Sequence, residues 1–297
     1  MPAYTILTPR DPGYPRRLAE LDDPPVRLHV RGAIPDGPLV AIVGARAADT
    51  TGKTFAFRLA SALAENGVAV VSGGARGIDE EAHLGALEAG GKTVVVLGCG
   101  LDVEYPRGST ALRARAAEAG AVVSELGLAA RPRPVNFPKR NRIVAALAEA
   151  IVVVQAGARS GALSTAHQGK ALHRPILAVP GSPGSDLTRG THGLLRSGAL
   201  LAEGPEDVLA AIGRAPQPGP SRTRARPELT GLEAAVHALL QGRTCSADEL
   251  ARAAERPVAD VLGALVQLEL RGLVVSRAGC YEAMQPFVSP APSVERA

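Results

Sequence analysis

The 297-residue chain contains no tryptophan, and aromatic side chains make up 3% of it. Few rings are therefore available as stacking platforms, so any contact with a long charged ligand has to lean on cationic side chains. Cysteine is almost as scarce. Cys99, Cys245 and Cys280 stand far apart, a spacing that fits neither a disulfide framework nor a set of metal ligands, and a reducing cytoplasm is the expected compartment. The longest apolar runs are pieces such as Thr93 to Leu97 and Ile151 to Val154, far short of the roughly 20 residues of a bilayer crossing. The first ten residues, MPAYTILTPR, lack the basic start, apolar stretch and small-residue site of an export signal. A membrane-spanning or exported protein is not expected.

Hydrophobic residues at 46% and charged residues at 21% describe an ordinary globular chain, and the length suggests two domains. The net charge of +4 is unevenly placed. Arginine supplies 29 of the 33 basic side chains, and RPRPVNFPKRNR, from Arg131 to Arg142, holds five basic residues and no acid. Arg214 to Arg226 adds four more arginines without an acid, whereas Glu228 to Glu282 carries five basic and eight acidic residues. A clustered basic segment is the footprint of a polyanion binder.

Between residues 39 and 179, short β-branched runs alternate with helical stretches, the pattern of βαβ units. Strands are predicted at Leu39 to Val43, Val68 to Ser72, Thr93 to Leu97, Ala121 to Ser124, Ile151 to Val154 and Ile176 to Val179. Each is nearly all apolar, as expected for strands buried on both faces. Helices are predicted at Thr51 to Asn66, Asp79 to Ala89, Thr110 to Ala119, Pro138 to Ala150 and Ala162 to His173. The fold class is α/β: an extended Rossmann-like parallel sheet followed by a small C-terminal winged-helix domain. Residues 1–38 form a proline-rich extension packing on the core, 39–212 the Rossmann-like domain and 213–227 a linker. Residues 228–285 hold three amphipathic helices and a short hairpin, a winged-helix arrangement, and 286–297 a tail.

Four motifs lie at strand ends. GARAADTTGK, from Gly44 to Lys53, follows the first predicted strand, where turn amides, a helix N-terminus and the forked guanidinium of Arg46 can meet a phosphate. Its AADTTGKT portion mimics a phosphate loop, but Ala47 lies four residues past Val43 and the first glycine is missing, so the match reads as accidental and ATP hydrolysis is not expected. SGGARGID, from Ser72 to Asp79, offers glycines for a tight turn, but they are misspaced for a dinucleotide fingerprint. FPKRNR puts Lys139, Arg140, Asn141 and Arg142 in the first turn of a helix, where the dipole disfavours cations and an anion would balance them. ARSGALSTA supplies Ser160 as a cap and Gly161 for close approach. No histidine, carboxylate pair or metal-ligand spacing accompanies these loops, so the residues describe a binding site without chemistry and without a cofactor.

The ordered series GAR, SGGARGID, GCGLDVEYP, VVSELG, FPKRNRIV, SGALSTA and AVPG resembles the DNA-processing protein A family, DprA or Smf, from about Tyr14 to Leu209. The resemblance implies a dimeric extended Rossmann fold that binds single-stranded DNA in a basic pocket, protects it and loads the RecA recombinase in natural transformation. It implies a DNA-binding set of Gly44, Arg46, Gly73, Gly74, Arg76, Gly77, Lys139, Arg140, Asn141, Arg142, Ser160 and Gly161. Ala45, Asp49, Thr51 and Ser109 depart from the residues common in the family. Many members carry a small helical domain at the N-terminus, and this chain begins after it. Phosphoribohydrolases acting on nucleoside monophosphates share the fold and give the alternative reading, but the segment after the fifth strand, AGARSGALSTAHQ, lacks their PGGxGTxxE signature. A transcription regulator acting through the winged helix is a third reading. Against it, Pro257 to Leu270 has few polar side chains for reading a DNA groove, and its apolar stripe is wider than one core face needs.

Overall fold

The computed structural model describes residues 4–215, 229, 231–241, 243–271, 273–277 and 279–283. The chain divides into two compact units, Met1–Gln217 and Pro218–Ala297. Most of the expected linker and all of the expected tail lie outside the described residues.

The first unit is a nine-stranded sheet in the order β1-β2-β6-β5-β4-β3-β7-β8-β9. The six predicted strands are β3 (Leu39–Val43), β4 (Ala69–Ser72), β5 (Thr93–Val96), β6 (Ala121–Ser124), β7 (Ala150–Val153) and β8 (Ile176–Ala178), all parallel to their neighbours in this series. Of three further short strands, only β2 was expected, as the short strand that ends the proline-rich extension. β1 (Thr5–Leu7) and β2 (Leu28–Gly32) add an antiparallel edge on β6, and β9 (Leu200–Leu201) extends the other edge. With two or three apolar residues each, β1 and β9 give no period for a sequence reading to find. β3 to β7 are buried along their whole length, which is why their sequences do not alternate.

The crossover helices are α1 (Thr50–Glu65), α2 (Ile78–Glu88), α3 (Thr110–Ala119), α4 (Asn136–Leu147), α5 (Ala162–Ala171), α6 (Arg189–Arg196) and α7 (Pro205–Ala211). Small residues set their spacing. A Cβ on Gly85 would stand 2.0 Å from the Phe57 carbonyl oxygen, so α1 and α2 pack backbone against backbone. The N-terminal extension is tied to α4 and the residues after it: Arg17 pairs with Glu149 and Asp23 accepts from Arg142 at 2.6 Å, while within the extension the Tyr14 hydroxyl donates to the Pro25 carbonyl at 2.9 Å. Strand order reverses between β3 and β7: β4, β5 and β6 lie to one side of β3, and β7 to β9 to the other. At such a reversal the loops leaving adjacent strands part in opposite directions and open a crevice at the carboxyl ends.

The second unit comprises α8 (Gly231–Leu239), β10 (Thr244–Ser246), α9 (Ala247–Ala254), α10 (Val258–Leu270), β11 (Val274–Arg277) and β12 (Cys280–Ala283), with sheet order β10-β12-β11. This is a winged helix. Ser246 and Glu249 close a reciprocal cap on α9. Of the apolar stripe on α10, Val261, Leu265 and Leu268 enter the core with Val236, Leu240 and Leu250, while Val258, Leu262, Val266 and Leu270 remain exposed.

His83 sits fully buried in α2 with Nδ1 2.7 Å from the Thr93 hydroxyl, which itself donates to the Val70 carbonyl. The hydroxyl has one proton, so His83 Nδ1 carries the other and the ring is neutral. Burial, with the Arg140 charge nearby, lowers its pKa from 6.5 to about 3. A depressed folded-state pKa gives stability that is fully present above the unfolded value and is lost as pH falls from 6.5 toward 3. Between pH 7 and pH 5 the loss from this one group is about 2 kcal/mol. Urea unfolding at both pH values checks it, and His83→Asn is expected to show a correspondingly flatter dependence than the parent chain.

Candidate functional site

The crevice at the strand-order reversal is a cavity of about 600 Å³. Its walls come from the end of β3 (Gly44, Ala45, Arg46), the turn after β4 (Gly73, Ala75), Tyr105, the start of α4 (Phe137, Pro138, Arg140, Asn141) and the loop from β7 into α5 (Arg159, Ser160, Gly161, Ala162, Thr165). Arg46 and Arg159 are exposed. The Arg46 guanidinium lies 5.2 Å from the centroid of the Phe137 ring, and Tyr105 packs on Phe137 at 5.3 Å between centroids. An arginine and two rings thus line one side of the cavity. The first turns of α4 and α5 line the other parts of the wall, presenting the positive ends of two helix dipoles. Ser160 caps α5, its hydroxyl accepting from Ala162 N–H at 3.3 Å, and the Asn141 amide donates to the Gly161 carbonyl at 3.2 Å, joining the two helix starts.

Beneath this wall lies a charged interior. Arg140 is 5% exposed and donates to the carbonyl oxygens of Gly73 and Val96, at the ends of β4 and β5. The Asp79 carboxylate, on the other side of Gly73, accepts from Gly73 N–H at 3.1 Å and Ala75 N–H at 3.4 Å. A Cβ on Gly73 would stand 2.4 Å from the Arg140 guanidinium and 2.7 Å from the Asp79 carboxylate, so only glycine fits between them. Burial raises the pKa of Asp79 against the pull of Arg140, and burial lowers that of Arg140 to about 10. Arg140 stays charged at neutral pH, and its charge with two N–H donors favours the Asp79 carboxylate.

Seven of the twelve expected site residues line the cavity: Gly44, Arg46, Gly73, Arg140, Asn141, Ser160 and Gly161. Gly74, Arg76, Gly77, Lys139 and Arg142 do not. Arg142 is held by Asp23 and by Glu125 at 2.8 Å, with its side chain 11% exposed, so its charge is met by the protein's own carboxylates. Arg140 is likewise an interior strut. The sequence expectation that an anion balances all the cations of FPKRNR is therefore corrected: Glu125, Asp23 and Asp79 answer two of them, leaving the exposed Lys139 without an ion-pair partner among the described residues.

One further expectation is corrected. The N-terminus of α1 is not an open phosphate site, because Asp49 caps it, accepting from Gly52 N–H at 2.8 Å and from the Gln155 amide at 2.8 Å. Gly52 packs under Gln155, which also removes the phosphate-loop mimic. The tight turn of SGGARGID also serves the protein's own packing. A Cβ on Gly77 would meet the carbonyl oxygens of Ala45 and Arg46 at 2.4 and 2.6 Å, so this turn admits the protein's own β3 loop. Arg159 and Tyr105 are cavity residues that the sequence reading left out of the set, although ARSGALSTA and GCGLDVEYP contain them. Arg76 is exposed and donates to the Arg107 carbonyl at 3.3 Å.

The cavity offers cationic and N–H donors for a phosphate and a ring for a base. Asp79 is its only lining carboxylate among the described residues, and it is buried, with Oδ2 accepting from two backbone N–H groups. Among the described residues, no cluster of His, Cys, Asp or Glu suits a metal ion, and no helix is long and apolar enough to cross a membrane.

A doubly wound sheet with a cationic crevice at its switch point, accompanied by a winged helix, defines the class. Residues 5–213 match the model of DNA recombination-mediator protein A, and residues 220–279 match that of the DprA winged helix domain. The chain belongs to the DprA/Smf family. It is 43% identical over 253 residues to a putative DNA processing protein DprA of Mycobacterium tuberculosis, with 82% of this chain and 64% of that protein covered. Over 289 residues it is 34% identical to Protein Smf of Escherichia coli, covering 94% and 77% of the two chains. The chain thus spans just under two thirds of the length of the mycobacterial relative. The X-ray structure of DNA processing protein A from Streptococcus pneumoniae superposes with a TM-score of 0.66 at 38% identity, covering 70% of this chain and 74% of that one. A Helicobacter pylori DNA processing protein A, described for its single-stranded DNA binding mode, gives 0.63 at 30% identity, covering 70% and 95%.

Because Arg140 braces two strand ends and faces a buried carboxylate, Arg140→Ala is expected to lower folding stability by about 3 to 5 kcal/mol. Lys139→Ala, at an exposed residue without an ion-pair partner among the described residues, is expected to stay within about 0.5 kcal/mol of the parent. Urea denaturation followed by circular dichroism separates the two.

Proposed function

We propose that the chain binds single-stranded DNA independently of sequence, with the strand lying in the crevice at the switch point, and serves DNA processing in transformation and recombination. The crevice itself carries this reading: Arg46 and Arg159 stand exposed at the ends of β3 and β7, beside two helix N-termini and a ring pair. Family membership and the H. pylori relative, whose description concerns single-stranded DNA, support it. The phosphates would meet the arginines and helix amides, and Phe137, already covered by Arg46, offers one position for a splayed base. Exposed Lys139 and Arg76 lie outside the cavity lining and would extend the backbone path. On this reading the protein is a binder without an enzymatic step, acting in the cytoplasm. Protection of incoming DNA, RecA loading and homodimerisation belong to the same proposal and rest on the family resemblance.

Fluorescence anisotropy with labelled oligo-dT tests the reading. Affinity is expected to fall steeply with salt, with a logarithmic slope of about −0.7 per phosphate neutralised. Arg46→Ala and Arg159→Ala are each expected to cost about 1 to 2 kcal/mol of binding with unchanged thermal stability. Salt-independent binding, or parent affinity in both folded variants, would remove the crevice from the DNA path. Residues 227–297, with nine acidic and six basic side chains, are acidic on balance, so truncation after Arg226 is expected to leave oligo-dT affinity within a few-fold of the full chain. A truncated protein that folds but no longer binds would move the DNA site to the winged helix.

A further inference from the structure

The start of α4 is held in place against its own electrostatics. This part of the helix carries Lys139, Arg140 and Arg142, has no acid in its first turn, and no side chain caps its N-terminus, so cations and helix dipole oppose one another. Arg140 fastens the turn to the sheet from inside, and Arg142 fastens it from outside. All three nitrogens of the Arg142 guanidinium are engaged: Nε donates to Asp23 at 2.6 Å, Nη2 to Glu125 at 2.8 Å, and Nη1 to the second Glu125 oxygen at 3.2 Å and to the Lys139 carbonyl at 3.3 Å. Glu125 stands directly after β6, and its side chain, like that of Arg142, is only 11% exposed. Asp23 belongs to the N-terminal extension, and the extension also reaches the far end of the same helix, where Arg17 donates to the Leu147 carbonyl at 3.2 Å and pairs with Glu149. Arg16–Glu20 forms a short 3-10 turn that packs on α4 and buries Leu18 in the core shared with Ile143 and Val144.

From this arrangement we infer that the extension and Glu125 form a clamp on α4, in which Asp23 and Glu125 are positioning residues for DNA binding and Arg142 is a strut of the clamp, not a phosphate contact. The inference rests on the reading of the crevice as the DNA site. Phe137, Arg140 and Asn141 line that crevice beside the turn that Arg142 holds, and Asn141 makes the bond to the Gly161 carbonyl that joins α4 to α5. A small displacement of this turn therefore moves a ring and two helix starts together, and binding groups lose their geometry with it. The charges agree. One arginine between two carboxylates leaves the cluster net negative, so as a direct contact it would repel a phosphate backbone, and Arg142 does not line the cavity. Carboxylates that support DNA binding from such a place do so by holding other groups.

The direction of the effect separates a clamp from a direct electrostatic contribution. Oligo-dT affinity is measured across a range of salt concentrations for the full chain and for Asp23→Asn, Glu125→Gln, Arg142→Gln and Arg142→Lys, and amide hydrogen exchange of residues 136–147 is followed in each. Removing either carboxylate is expected to weaken binding about three- to tenfold, although negative charge has been lost, with the salt slope unchanged. Arg142→Lys keeps the charge but cannot form the fork, so it falls as far as Arg142→Gln. Adding Glu125→Gln to Arg142→Gln costs no more than Arg142→Gln alone, because Glu125 acts through that side chain. Faster exchange at the start of α4 accompanies each loss. Parent or tighter affinity in both Asp23→Asn and Glu125→Gln would overturn the inference, as would exchange that stays at the parent rate in every variant. Arg142→Lys binding like the parent, while Arg142→Gln loses about 0.7 from the salt slope, would mark a phosphate contact and equally overturn it. The Asp23 side chain is 62% exposed, so Asp23→Asn decides the matter even where Glu125→Gln folds poorly. A parent chain that does not bind oligo-dT would overturn the crevice reading and the clamp's role with it, a result distinct from variants that match a binding parent.

Discussion

Arg140 joins parts of the sheet that its hydrogen-bond ladder leaves separate. β4 and β5 pair along their length, but beyond Ser72 and Val96 their chains turn away toward different loops. By donating to the carbonyls of Gly73 and Val96 from the start of α4, the guanidinium fastens both strand ends to the helix that walls the crevice. Asp79 answers its charge from α2, and Gly73 is the only residue small enough to stand between them. A charge this deep is costly unless its donors and its opposite charge are all satisfied, so the surrounding geometry is held within narrow limits.

The functional surface follows from that constraint. With Arg140, Asp79 and Gly73 occupied by one another, and Gly77 seated against the β3 loop, the motif residues at the strand ends form a rigid floor. The residues left to meet a ligand are Arg46, Arg159, Asn141, the two rings and the α5 cap. Placing the adaptable contacts on short loops above a satisfied interior keeps the donors oriented.

The two faces of α5 give the molecule a second layer of organisation. Its polar residues divide between the two sides, Thr165 lining the crevice and His167 and Lys170 a groove against α6. The winged helix does not share this basic character. Its third helix shows Val258, Leu262, Val266 and Leu270 where a groove reader would show arginine or asparagine, so its fold class alone says little about its role.

The sequence by itself determined the alternation of buried strands and helices, the parallel sheet, the winged helix and the loops that gather at the carboxyl edge. These are local signals, carried by apolar runs, periodicity and strand-end glycines. It also marked FPKRNR as unusual, because cations crowd a helix start there. Only the tertiary structure decided what those cations do. Arg140 faces Asp79, some 60 positions earlier, across Gly73, and Arg142 meets Asp23 and Glu125, so their charges are spent inside the protein, while Arg159, a single arginine within ARSGALSTA, reaches the cavity. The edge strands β1 and β9 were invisible for the same reason. A strand of two or three residues exists only because a neighbour offers it hydrogen bonds, and which neighbour that is depends on the folded chain.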